Sequence, residues 1–338
     1  MKTAPLNFST QAIESLEASA SSFLPDMPAS ARNIRLVANL LRQAVKFVLP
    51  DNAELFDDQL RALPAVFRLP YPITAAEFVV TTNEIGDGPL ATRGAALATS
   101  TKRIALAVEI TADNFDQYTW MLSDEKYDLL VEDTAVAIIP VYFIAASGRW
   151  VIPPLGLVIP SKKAEANKAY ASNTTEMYGG KLPKSVKPLP LEAHTTDLLP
   201  EQASEIEQSG GLQQVFATAQ QDCHDECIAI MGLVEVLSCA NVHTETLPAP
   251  KFLNTKRLSR GKVPFYEFKV LTLDLEEARK SHSSDPQGTH SSPRIHLRRG
   301  HIRRLPDRSI FVRAAIVGDK SRGAVMKEYA IKPPQGDA

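Results

Sequence analysis

The period of the apolar positions changes several times along this chain, and each change marks a new element. Between Ser30 and Val48, residues Ile34, Val37, Leu41, Val45 and Val48 recur at helical spacing, with Ser30 as N-cap and Pro50 beyond the end. That spacing predicts a core helix over 30–48, preceded by a weaker helix from Thr10 to Phe23 that Pro25 and Pro28 terminate. Asp57 to Leu63 reads as a short third helix ahead of Pro64. From Ala65 the period falls towards two, and Val66 to Leu69, Glu77 to Thr82, Arg103 to Ile110, Thr134 to Ile144 and Trp150 to Ile159 read as strands. The small residues Ala146, Ser147 and Gly148 join two of these as a hairpin, while Pro140, Pro153 and Pro154 assign some strands to edges or bulges.

Ser161 to Ala203 has little apolar periodicity and reads as a long polar surface insertion. A 3.6-period stripe returns over Gly211 to Ala240, through Leu212, Val215, Phe216, Ala219, Cys223, Cys227, Ile230, Met231, Val234 and Leu237, which predicts a long helix packed across the sheet. Beyond Val242 come an extended basic arm, Pro248 to Lys262, a strand from Pro264 to Leu273, and a hydrophilic loop from Glu276 to Ser292. Two further strands are expected at Ser309 to Val317 and Ala324 to Ile331, with Gly318 to Gly323 turning between them. The whole predicts an α+β fold. A body over 1–241 holds helices and a mixed or antiparallel sheet, and a small basic antiparallel β domain occupies 242–338.

With 338 residues, 44% hydrophobic and 22% charged, the composition excludes disorder of the whole chain. The longest apolar run, Ala135 to Ala146, is short of the roughly 18 residues a membrane span needs, and Pro140 interrupts it. The polar N-terminus lacks the apolar core of a signal peptide, so a cytoplasmic protein without a membrane partner is expected. Three cysteines are too few for a disulfide framework. Cys223 and Cys227 share a helix face with His224 and Asp225 between them, but no second Cys/His pair of matching spacing follows, so buried thiols are expected rather than a metal site. No Gly-rich phosphate loop is present, and no cofactor is called for.

Charge changes the picture more than composition does. From Lys251 onward there are 19 Lys/Arg against 9 Asp/Glu, and before it 18 against 30, so a net of −2 conceals an acidic body and a basic C-terminal part. A basic unit of this kind suits a polyanion. Arg294, Arg298, Arg299, Arg303 and Arg304 fall within eleven positions, among His290, His296 and His301. Guanidinium forks match phosphate oxygens, so Arg294, Arg298, Arg299, His301 and Arg303, with Lys256, Arg257 and Lys262 of the arm, are the candidate contacts to RNA or the ribosome. Phe252, Phe265 and Tyr266 could stack bases or serve as strand residues. An extended strand would put His296, Arg298 and Gly300 on one side and Leu297, Arg299 and His301 on the other, with Gly300 at a bulge or bend. His296 and His301 are also candidate catalytic residues of a metal-free ribonuclease, as acid and base with Arg stabilising the phosphate. A metal on His290, His296 and His301 would meet repulsion from the arginines and lacks a carboxylate or thiolate ligand.

The segment from Asn254 to Pro264, an aromatic strand, then Thr289 to Arg303 with its Arg-Arg-Gly-His core, and a closing Val-Gly-Asp strand pair resemble a family of phage, prophage and plasmid proteins. That family includes the type V-A anti-CRISPR that lowers production of the CRISPR nuclease. Leu69-Pro70-Tyr71-Pro72 with Glu77 and Phe78 is similar to the family's Pro-aromatic-Pro segment. The resemblance covers roughly the last ninety residues. It implies a counter-defence regulator that recognises a nascent peptide or protein and acts on translating ribosomes in the host cytoplasm to reduce expression of a target. After Arg-Gly-His the chain continues Ile302, Arg303, Arg304, Leu305, Pro306 instead of a Trp/Tyr-rich cluster, so the target need not be the same nuclease. The alternatives are the ribonuclease and a direct protein inhibitor of a host defence enzyme.

Overall fold

A computed structural model describes residues 6–55, 67–81, 100–122, 134–161, 193–273, 294–298, 301–312, 315–317 and 319–324. In chain order they form helices α1 (Phe8–Phe23) and α2 (Pro28–Gln43), then strands β1 (Val45–Val48), β2 (Ile73–Val79), β3 (Lys102–Ile110), β4 (Ala135–Ile144), β5 (Arg149–Val151), β6 (Leu155–Pro160) and β7 (His194–Asp197). Helix α3 (Pro200–Leu237), strand β8 (Val242–Leu247) and helix α4 (Lys251–Leu258) follow. Strands β9 (Phe268–Leu273), β10 (Arg294–Arg298), β11 (His301–Arg304), β12 (Ser309–Val312), β13 (Ala315–Val317) and β14 (Asp319–Ala324) complete the described chain.

The fold is α+β around a mixed nine-stranded sheet in the order β7-β6-β4-β3-β2-β1-β9-β8, with β5 pairing β4 beside β6. Only β1 runs parallel to its neighbours, β2 and β9. Strands β3 and β4 are buried on both faces, which is why they read as nearly unbroken apolar runs. Their alternation still sorts the two layers. Ile104, Leu106, Val108 and Ile110 face α1 and α2, whereas Ala105 and Ala107 face α3, where small side chains admit the helix. Along α3 the expected stripe is largely core: Val215, Ala219, Cys223, Cys227, Ile230 and Met231 are buried. That helix begins at Pro200 and bends at Gly211, whose φ of 68° a side chain would strain.

Pro140 sits in an interior strand and not at an edge. It lies opposite Ala105, while on its other side β4 pairs β6 through Ile138 and β5 from Tyr142, so the missing N–H falls in the gap between them. Pro153 and Pro154 split the strand expected over 150–159 into β5 and β6. The hairpin turn at Ala146 to Gly148 is present, Gly148 having φ 64°.

Four expectations are corrected. The helix over 30–48 ends at Gln43, because Ala44 adopts an extended backbone and Val45 to Val48 pair with β2. Helical and strand periods both accommodate Val45 and Val48, and burial of Phe47 between sheet neighbours decides for the strand. The end of the stretch 161–203 is not insertion: Thr195 and Thr196 extend the sheet as β7, and Leu198 and Leu199 are core. The boundary at 241/242 runs through the large sheet, since β8 and β9 are its last two strands. The basic arm is helical over Lys251–Leu258 and not extended. At the C-terminus, β11 and β12 form an antiparallel pair, while β10 pairs β13 antiparallel and β14 parallel. The helix expected at 57–63 and the strand at 324–331 beyond Ala324 lie outside the described residues.

Candidate functional site

The arm is a closed loop fastened to α1. It leaves β8 through Pro250, whose fixed φ suits a helix start, and α4 turns back at Gly261, where φ is 67° and the Lys262 N–H returns to the Arg257 carbonyl at 3.0 Å. Asn254 Nδ2 donates to the Phe265 carbonyl at 2.8 Å, and its Oδ1 accepts from the Phe265 N–H at 2.7 Å. Arg257 donates through Nε to the Val263 carbonyl at 2.6 Å and through Nη2 to Glu14 Oε1 at 2.7 Å, with its guanidinium 4.5 Å from the centre of the Phe265 ring. Thr10 Oγ1 donates to the Pro264 carbonyl at 3.0 Å. Pulling Asn254 and Arg257 inwards aims everything else outwards. Lys251, Lys256, Arg260 and Lys262 are exposed, and no acidic residue occurs between 248 and 266.

The β11–β12 hairpin is fastened by a similar device. Ile302 and Phe311, like Leu271 and Leu273, pack against Val236, Cys239 and Val242, and Asn241 brackets Phe311 as Asn254 brackets Phe265. The Ala240 N–H adds a bond to the Ser309 carbonyl at 2.9 Å. Arg303 and Arg304 thus arrive at the C-terminal end of α3, where a helix dipole favours positive charge. The arm leaves the Leu247/Phe268 end of the β8–β9 pair and the hairpin packs at its Val242/Leu273 end. At about 3.3 Å per residue these ends are roughly 17 Å apart. Two basic elements therefore bracket the edge strand β8, whose side chains from His243 to Thr246 are all exposed.

Of the expected contacts, Lys256 and Lys262 stand in solvent on the arm, whereas Arg257 is turned inwards as a fastening. Arg294, His296 and Arg298 lie on β10, with His296 opposite Val317 and Arg298 opposite Ala315. His301 and Arg303 lie on β11, opposite Val312 and Ile310. Arg299 and Gly300 fall outside the described residues. The described residues of the His/Arg segment are accordingly shared between two sheets, β10 in one and β11 in the other. His296 and His301 belong to different sheets.

Sequence reasoning missed a buried polar cluster between β3, β4 and α3. Arg103 Nη1 lies 3.0 Å from Asp225 Oδ2 and 3.4 Å from Glu226 Oε1, and the Tyr142 hydroxyl donates to Glu226 Oε2 at 3.4 Å. Burial pushes the Glu226 carboxyl up to about 8 and that of Asp222 to about 7, with Arg103 opposing in both cases. Burial also raises the Cys223 and Cys227 thiols well above their ordinary range, so they stay protonated, and Cys223 Sγ lies 3.7 Å from the Leu155 carbonyl. The signal was a lone arginine opening an apolar strand, together with three acids set among the cysteines of the α3 stripe. No group of His, Cys, Asp and Glu among the described residues could hold a metal ion.

Carboxylates also capture both N-terminal helices. Glu77 on β2 accepts from the N–H groups of Phe8 at 2.9 Å and Ser9 at 2.7 Å, and Glu201 accepts from those of Ala29 and Ser30, each at 3.0 Å, and from the Ser30 hydroxyl. Ser30 therefore lies inside the first turn of α2, with Pro28 at its start, and is not the N-cap. Comparison with protein-family profiles, curated proteins and solved structures finds no match for this chain. No helix among the described residues is long and apolar enough to cross a membrane.

Proposed function

We propose that the protein is a cytoplasmic counter-defence regulator of phage or plasmid type, which recognises a nascent peptide or protein and acts on RNA or translating ribosomes to reduce expression of a target. The sequence resemblance supplies the biological class. The observation that carries the RNA or ribosome contact is the arm: four cations exposed on a segment without one acid, held in place by an inward Asn254 and Arg257. Ordered cations release counterions from a phosphate backbone without first losing the entropy of folding the segment. The arginines of β11 extend the basic surface at the far end of β8, and the acidic body limits indiscriminate binding to polyanions.

The test is charge reversal. Replacing Lys256, Arg260 and Lys262 by Glu, and separately Arg298, Arg299 and Arg303, should weaken binding to RNA or ribosomes and flatten its salt dependence, by about 0.7 in the log–log slope for each phosphate that the variant no longer neutralises. Salt-insensitive binding, or binding unchanged in both variants, overturns the reading. Copurification of a target protein that survives RNase treatment would favour a direct inhibitor instead. A ribonuclease built on His296 and His301 draws no support from their positions on separate sheets.

A further inference from the structure

We infer that α4 binds a single strand specifically, with Phe252 stacking an unpaired base while Lys256 takes the adjoining phosphate; this rests on the RNA reading above. Four large hydrophobic residues of the described chain are exposed, and three of them, Phe252, Leu253 and Leu258, sit on this one helix of eight residues. Phe252, at 82%, is the most exposed of the four, and among the described residues most large apolar side chains lie in the two layers of the core. Arg257, on the same helix, lies over the Phe265 ring at 4.5 Å and not over Phe252. An isolated exposed Leu needs no explanation, but an aromatic ring held out from a fastened basic helix does.

The arrangement round the helix selects the ligand. At 100° per residue Phe252 and Lys256 share one face, one turn and about 6 Å apart, with Ser259 beyond them. Leu253 and Leu258 fall on other parts of the circumference, and Lys251 and Lys256 are interleaved with them. An interfacial membrane helix, or a helix docking into an apolar groove, requires its apolar residues gathered into one stripe, which this helix lacks. Stacking requires only a ring with cations beside it, since every base has a π-face and every nucleotide a phosphate. In a duplex those faces are already occupied by neighbouring bases, so the ring rewards only unpaired nucleotides. Fastening through Asn254 and Arg257 presents the ring ready placed, and Arg260 and Lys262, just past the helix end, continue the basic track.

The experiment measures fluorescence anisotropy with the full-length protein, a single-stranded RNA oligonucleotide of mixed sequence, and the same sequence as a duplex. Phe252→Ala should weaken single-strand binding roughly tenfold, the size of one lost base stack, and leave duplex binding unchanged. Phe252→Trp should retain affinity and lose indole fluorescence on binding. Lys256→Glu should weaken both ligands. The inference is overturned if Phe252→Ala leaves single-strand affinity intact or lowers both affinities equally, and the RNA reading then survives. It is also overturned if wild-type protein binds vesicles containing phosphatidylserine through Phe252 in preference to RNA. Wild-type protein that binds neither RNA overturns inference and reading together.

Discussion

Asn241 pairs with the main chain of Phe311 as one peptide pairs with another, its Nδ2 donating to the carbonyl at 2.9 Å and its Oδ1 accepting from the N–H at 2.7 Å. Asn254 does the same to Phe265. One of these amides ties the β11–β12 hairpin to the body and the other closes the arm on itself, each supplying a donor and an acceptor from separate atoms, which an ionised Asp could not match. Asn241→Ala leaves two main-chain groups of Phe311 without these partners and should cost about 2 kcal/mol. Hydrogen exchange should accelerate over 302–311 and stay unchanged in β3 and β4. Uniform acceleration, or none, would count against a separately anchored hairpin.

The pair Arg257 and Glu14 separates electrostatics from positioning. Glu14 is acidic, so on charge alone Glu14→Ala should strengthen binding of a polyanion. Because Glu14 accepts from both Arg257 and the Val263 N–H, its removal should instead loosen the arm and weaken RNA binding several-fold. The pair is partly exposed, so the stability change itself should be within about 1 kcal/mol. Affinity for the single-stranded oligonucleotide, measured for Glu14→Ala and Arg257→Ala side by side, checks this; a gain in the former would mean the arm is ordered without Glu14.

Much of the fold was legible in the sequence because strands buried on both faces, such as β3 and β4, advertise themselves as apolar runs, and α3 carries a long single-face stripe. What was not legible depended on distant partners. Val45 to Val48 read as the end of a helix because nothing local reveals that β2 and β9 flank them. The reversal of charge near residue 250 suggested a domain boundary, yet β9 joins β1 across more than two hundred residues. At the candidate site, Lys256 and Lys262 were identifiable by type and spacing, but the inward turn of Arg257 follows from Glu14 and could not be read from the arm itself.

Glu77 links the N-terminal helix to the arm. Its carboxylate occupies the N–H groups of Phe8 and Ser9 at the start of α1, and α1 carries Thr10 and Glu14, which hold Pro264 and Arg257. Glu77→Ala strands buried donors and should cost about 3 kcal/mol or more in urea denaturation, with Glu77→Gln intermediate because one acceptor remains. Exchange over 251–266 should rise in proportion. A destabilised Glu77→Ala protein whose arm exchanges as in wild type would break the link.

The buried cluster gives the fold a pH dependence of definite sign. Asp222 and Glu226, held at about 7 and about 8 by burial against the opposing effect of Arg103, keep protons in the folded state that the unfolded chain releases above its ordinary carboxylate range. Their stabilisation is therefore complete at low pH and is lost as pH rises through 7 and 8. Lys46, lowered to about 8 by burial despite Glu77 and Glu267, acts in the opposite sense: its contribution is present above the unfolded lysine value and is lost as pH falls through 8. Glu201 has its carboxyl lowered through its bonds to Ser30 and Ala29, and so acts only in acid. Glu77, whose carboxyl burial also raises, acts in the same sense as the cluster, so between pH 5.5 and 8 these buried carboxyls work together and the melting temperature should fall across that window. Glu226→Gln keeps an oxygen for Arg103, removes the group that must ionise, and should raise the melting temperature at pH 8 more than at pH 5.5, by an amount on the order of a few kcal/mol in stability. Parallel melting curves of wild type and Glu226→Gln across the window would mean that Glu226 is ionised in the folded state throughout, paired with Arg103.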